Sequence, residues 1–243
     1  MLTAFIICSV YIFLLFVITK LFGIKYTEII KNNHTIRNGI VFPVVIGTVI
    51  LTSFAFYFDW IPGVFSYSPV INNPILWIIP IFTVISIVAR FLKINRKYFQ
   101  KNGLLLLAVG LFFVGFSEEL LVRGIAVNAL LEDGFSVMWA GIFSSLIFGL
   151  LHFMNYFNGQ DIKKTTIQVL GTFLMGLNFY FIYILTGSLW YPIIAHFLYD
   201  FSILAMGDKP TLSSKDITTK VISISTVGMF ILPVFGLLFI VNK

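Results

Sequence analysis

The chain is poor in charge: 11% of its 243 residues are Asp, Glu, Lys or Arg, against 59% hydrophobic, and the mean hydropathy is +1.00. A water-soluble domain spends roughly a quarter of its residues on charge, so this chain cannot coat itself for water and the soluble classes are excluded. It has one cysteine, Cys8, which rules out an internal disulfide and reads as a packing residue in an apolar run. There is no Gly-rich phosphate loop, no helical HExxH pair, no internal repeat and no low-complexity tract. The net charge of +6 does not call for nucleic acid. In a membrane protein, basic loops are the usual cytoplasmic signature, and the partner they imply is the lipid bilayer.

What the chain does have is apolar runs, almost end to end. A helix needs about 20 apolar residues to cross the hydrocarbon core, and eight such segments are predicted: 2–22, 39–58, 75–92, 103–131, 136–157, 165–185, 188–206 and 217–241. The fold class is therefore all-α, a polytopic membrane protein with about eight transmembrane helices forming one integral membrane domain over 1–243. The first run lacks a positive charge before it and a small-residue cleavage site, so it is read as a retained helix. Of the 16 Lys and Arg residues, 14 follow the first, third, fifth and seventh runs, from Lys20 and Arg90 to Lys209, Lys215 and Lys220. The other loops carry Asp59, Glu132 and Asp133, and Pro62, Gly63, Pro69 and Gly187 mark their turns. The positive-inside rule then places the basic loops in the cytoplasm and both termini outside.

Six ionisable residues stand inside the runs, where each costs at least about 2–3 kcal/mol unless it pairs, lines a cavity or does chemistry. Glu119 and Arg123, four apart, stack on one helical face and neutralise each other as a supporting pair. Glu118 is turned away from them and left without the arginine, free to act on a water. His152 lies on the fifth run; His196 and Asp200, four apart, lie on the seventh. At about 1.5 Å rise per residue, Glu118, His152, His196 and Asp200 fall roughly 14–24 Å from the outer end of their helices, close enough in depth to form one site among spans four, five and seven. The many Phe residues, including the run at 111–116, read as packing or lipid-facing groups.

Three strings carry the chemistry: Glu-Glu-Leu-Leu-Val-Arg at 118–123, Phe-Gly-Leu-Leu-His at 148–152 and His-Phe-Leu-Tyr-Asp at 196–200. In order and spacing they resemble the EExxxR, FxxxH and HxxxN/D motifs of the CAAX-protease and bacteriocin-processing family of intramembrane proteases, of the Rce1 and Abi type. The resemblance covers about 80 residues within a motif-bearing core at 103–206. It implies an intramembrane endopeptidase with Glu118 as activating base, His152 and His196 as partners, and Phe148, Glu119 and Arg123 in support. One position departs from the commoner pattern: Asp200 stands where Asn is usual, and an ionised carboxylate cannot donate a hydrogen bond.

The expected chemistry is hydrolysis by a Glu118/His152-activated water, with His196 donating to the oxyanion and Asp200 setting its tautomer. Two His and a Glu also form a zinc set, so Zn2+ on Glu118, His152 and His196 is an alternative to the metal-free glutamate mechanism. A catalytically silent scaffold or immunity protein of the same fold, and a proton-coupled transporter, are the readings from other classes. The substrate expected is a membrane-associated peptide or protein entering past the polar loop 158–161. The Ile-, Lys-, Asn- and Phe-rich usage points to an AT-rich bacterium, hence a bacterial cytoplasmic membrane and no prenylated substrate.

Overall fold

In the computed structural model, residues 2–61, 63–66, 68–207 and 216–241 are described; Pro62, Lys209 and Lys215 lie outside them. No strand occurs among the described residues. Among the described residues there are eight long helices: α1 Leu2–Phe22, α2 Asn33–Tyr57, α3 Pro74–Phe91, α4 Gly103–Glu132, α5 Val137–Phe157, α6 Ile162–Thr186, α7 Trp190–Leu204 and α8 Ile217–Phe239. Six of them, α2–α6 and α8, are long and apolar enough to cross a membrane. The count of eight is thus approximate. In α7, Ser188 and Leu189 are spent on the turn after α6 and Ala205 and Met206 on the turn that ends the helix, which leaves 15 helical residues instead of the expected 19.

Helix starts follow from local chemistry. Asn32, Asn73, Ser136, Asp161 and Asp216 each cap a helix by accepting a backbone N–H from its first turn. Gly187, at φ +70°, ends α6 in the left-handed conformation and joins α7 across a turn of a few residues. Leucine, isoleucine, valine and phenylalanine side chains stand exposed along the outer faces of α2, α3, α5 and α8. In water such a surface would aggregate; against lipid tails it costs nothing, so the polar atoms turn inward.

The loops fall into two groups by their contacts. Those after α1, α3, α5 and α7 touch one another: Tyr26 N–H donates to Asn158 O, the Asn33 amide to Lys101 O, and Asn95 N–H to Ala205 O, while Lys93 bridges Asp216 at 2.6 Å. On the opposite face Ser68 N–H donates to Gly187 O and Ser188 Oγ to Phe65 O. Six charges assigned to the basic loops stand on helices instead: Lys20 on α1, Arg37 on α2, Arg90 on α3, Lys163 and Lys164 on α6, and Lys220 on α8. Lys220 sits in the first turn of α8. Arg90 is buried in α3, its guanidinium donating to the Ser86 and Thr226 hydroxyls and lying 5.0 Å from the Tyr199 ring centre. The neighbouring hydroxyls and the aromatic face solvate it, so it need not reach the loop.

At the centre, α4 packs on α7 and α5 on α6, with α1 and α2 to one side and α3 and α8 to the other. After Glu119 the helix α4 loosens into a π-helical stretch, Leu120–Val127, all of it buried. Stretches of this kind recur at functional sites because they re-aim side chains within a continuous helix.

Candidate active site

The close approach of α4 to α7 begins at Gly115. A Cβ there would lie 3.1 Å from Ile193 O and 3.2 Å from Phe197 N, so only glycine brings the next turn of α4, with Glu118 and Glu119, onto His196. Glu119 accepts from Arg123 Nη1 at 3.0 Å, and Arg123 Nη2 donates to Gly176 O on α6 at 2.7 Å. Both side chains are fully buried. The guanidinium lies 4.7 Å from the Phe148 ring centre and 5.8 Å from that of Phe179.

The same Glu119 oxygen meets His196 Nδ1 at 2.9 Å. This differs from the expected arrangement, in which Asp200 holds the tautomer. With its Nδ1 proton on Glu119, His196 turns Nε2 toward Asp200 at 3.4 Å and Glu118 at 3.9 Å. The ring is clamped by aromatics, stacked on Phe179 with centres 4.8 Å apart and edge-on to Phe148 at 5.5 Å. Phe148 also touches the His152 ring at 5.3 Å, while His152 Nδ1 lies 3.1 Å from Phe148 O. One phenyl ring therefore contacts Arg123, His152 and His196 together.

Glu118 has a different setting. Its side chain is 20% exposed where that of Glu119 is 0%, and its Oε2 makes no hydrogen bond. It forms part of the wall of a cavity of about 430 Å³, together with His152 and Asp200. Most of the remaining wall is apolar and comes from α1, α2, α4 and α6. Toward the face of the basic loops the lining turns polar: Asn155 donates to Gln168 Oε1 at 3.1 Å and Gln168 to the Tyr26 hydroxyl at 2.9 Å. Burial holds the Tyr26 phenol above its ordinary pKa, so it stays neutral. The loop 158–161 is less of an open rim than its composition suggests, because Asp161 caps α6 and Gln160 accepts from Thr165.

The structure thus brings Glu118, His196 and Asp200 into contact range and places His152 on the same cavity. Tyr11, Tyr26, Asn155 and Gln168 share that wall and were not singled out by sequence. Gln168 and Asn155 had a usable signal, an amide at the end of an apolar run; Tyr11, inside one, had none. Among the described residues, no three His, Cys, Asp or Glu side chains gather closely enough to hold a metal ion. Of the residues expected for zinc, His196 keeps Nδ1 on Glu119 and presents Nε2 toward Glu118 at 3.9 Å, and His152 shares the cavity wall with Glu118.

The bundle of apolar helices thus buries a Glu/His/Asp cluster beside a cavity. Residues 100–202, which hold the whole cluster, match the model of the family described as type II CAAX prenyl endopeptidase Rce1-like. The motif resemblance is therefore found again over this segment. A protein of Bacillus subtilis (strain 168) named "Putative membrane peptidase YdiL" is 32% identical over 93 residues, which are 38% of this chain and 33% of that protein. The chain thus spans about a third of the length of the curated relative it matches. No solved structure matches the chain.

Proposed function

We propose that this protein is an intramembrane endopeptidase that cuts membrane-associated peptides or proteins with a water activated by Glu118. The observation that carries this reading is the contrast between two adjacent carboxylates: Glu119 is fully buried and held by Arg123 and His196, whereas the Glu118 side chain is 20% exposed and forms part of the wall of a cavity with His152 and Asp200. A carboxylate retained without a cation inside the bilayer is expensive, and general-base chemistry is a reason to keep it. The family match and the relative's name support the same class of activity.

In the proposed step, Glu118 takes a proton from water as the water oxygen bonds to the scissile carbonyl carbon, and the carbonyl π pair moves onto its oxygen. Collapse of the tetrahedral intermediate re-forms the carbonyl and breaks the C–N bond, and the departing nitrogen takes the proton from Glu118. His152 lines the water's side of the cavity. His196, oriented by the Glu119–Arg123 pair, presents Nε2 to the Glu118 and Asp200 carboxylates and holds both in place. The basic-loop face, toward which the cavity's polar lining runs, is the proposed cytoplasmic entrance.

The test is a digest in phosphatidylcholine–phosphatidylglycerol proteoliposomes of a library of 25-residue peptides with apolar centres, with products read by mass spectrometry. Wild-type protein is expected to release fragments that Glu118→Gln does not. Fragments released equally by both would contradict the reading, as would their absence from the wild-type digest.

A further inference from the structure

Glycine is a poor helix former, because its backbone loses the most freedom when a helix fixes it. A glycine inside a helix therefore needs a local reason. Every other described glycine of this chain has one: either its φ is positive, or a Cβ added to it would lie within 3.2 Å of a neighbouring atom. Gly171, in the middle of α6, has neither. A Cβ there would meet nothing within 4 Å, and the residue lines the cavity with Glu118.

Gln168, Gly171, Thr172 and Met175 recur at helical spacing and form the cavity face of α6. Gln168 belongs to the polar lining toward the basic loops, bonded to Asn155 and Tyr26, while Gly176 accepts from Arg123. At about 1.5 Å per residue, Gly171 lies roughly 5 Å along the helix from the first and about 8 Å from the second, between the proposed entrance and the Glu119–Arg123 pair. The helix cannot back away from a filled position, because α5 holds it on another side. A Cβ at Gly149 would stand 2.8 Å from Val169 O, and one at Gly176 2.9 Å from Ser145 Cβ. A side chain at 171 would therefore take its space from the cavity.

We propose that Gly171 is a specificity-determining residue: the gap at its Cβ position receives a bulky apolar side chain of the substrate, of leucine or phenylalanine size, from a residue within two positions of the scissile bond. The inference rests on the proposed protease reading and names a substrate feature that the site selects. The apolar preference follows from the wall, most of which is apolar. A charged or amide side chain would lose its water there without regaining partners, whereas an apolar one gains from leaving water. A small side chain would leave the gap unfilled and forgo its contacts.

The experiment starts from a library peptide whose cleavage Glu118→Gln abolishes, with the cut mapped by mass spectrometry. The two residues on each side of the cut are replaced in turn by Ala and by Leu, and kcat/KM is measured with wild type, Gly171→Ala and Gly171→Leu in the same vesicles. Wild type is expected to prefer Leu over Ala at one of these positions. Gly171→Leu is expected to lower that Leu/Ala ratio by at least about tenfold, the effect of a misfit methylene in an apolar pocket, and Gly171→Ala by a smaller factor. Where Gly171→Leu cleaves nothing, Gly171→Ala decides. The Tm of Gly171→Ala should equal or exceed that of wild type, since alanine is the better helix former and its Cβ meets no neighbour. A ratio unchanged in every variant that cuts would overturn this role while leaving Glu118 in place, and so would a Tm lowered by Gly171→Ala, which would assign the glycine to packing. A library with no Glu118-dependent product would remove the protease reading and this inference together.

Discussion

Glu118 and Glu119 are neighbours on one helix, yet they lie in two different solvents. Glu119 belongs to a dry block: Arg123 and His196 hold it, the Gly176 carbonyl anchors Arg123, and Phe148 and Phe179 seal it. Glu118 belongs to a cavity whose wall also carries Tyr11, His152 and Asp200. The lesson is a division of labour within one helical turn. Inside a bilayer a charge survives either by being surrounded with partners, as Glu119 is, or by being needed for a reaction, the role proposed for Glu118.

The comparison breaks first at Arg123. Arg123→Ala strands Glu119 as a buried carboxylate without its cation, a loss of about 3–5 kcal/mol. The yield of monodisperse protein in detergent is expected to collapse; a normal yield and Tm would mean that the dry block does not hold the bundle together. Phe148→Leu sharpens the comparison, since it removes the ring that touches Arg123, His152 and His196 but keeps an apolar side chain. It is expected to cost about 1–2 kcal/mol through the lost cation–π contact and to lower cleavage as well, because both histidines lose their packing. Thermal unfolding and cleavage of the same sample check this, and unchanged cleavage would show that the ring positions neither histidine.

Much of this division was legible beforehand. Long apolar runs gave away the helices, and the expense of charge in hydrocarbon singled out Glu118, Glu119, Arg123, His152, His196 and Asp200. The i,i+4 spacing of Glu119 and Arg123 foretold their pair. What the sequence did not show arises between helices. The Glu119–His196 bond joins residues 77 positions apart, so no local pattern encodes it, and Asp200 was credited with the role instead. Arg90 stands at the end of a run beside Lys93, Arg96 and Lys97, which made it look like a loop charge, but Ser86, Thr226 and Tyr199 retain it inside. Tyr11 reads as one more aromatic among many, and only the cavity sets it apart.

A smaller effect tests the shared geometry of the loops. Single cysteines at Lys97 and Lys163, on the face where the basic loops meet, should be labelled from one side of sealed vesicles, and a cysteine at Asp133 from the other, with cleavage unchanged. Labelling of all three from the same side would break the alternation of the helices, and labelling of Lys97 from outside the cell would reverse the proposed orientation.

The central claim is that the two carboxylates do different work, and the direct measurement is Tm and cleavage side by side for Glu118→Gln and Glu119→Gln in proteoliposomes. Glu118→Gln is expected to abolish cleavage and leave Tm within about 2 °C of wild type, because its Oε2 has no hydrogen bond to lose. Glu119→Gln is expected to lower Tm as well as cleavage, since it removes the charge that pairs with Arg123 and orients His196. Cleavage retained by Glu118→Gln, or an equal fall in Tm for both variants, would contradict the account.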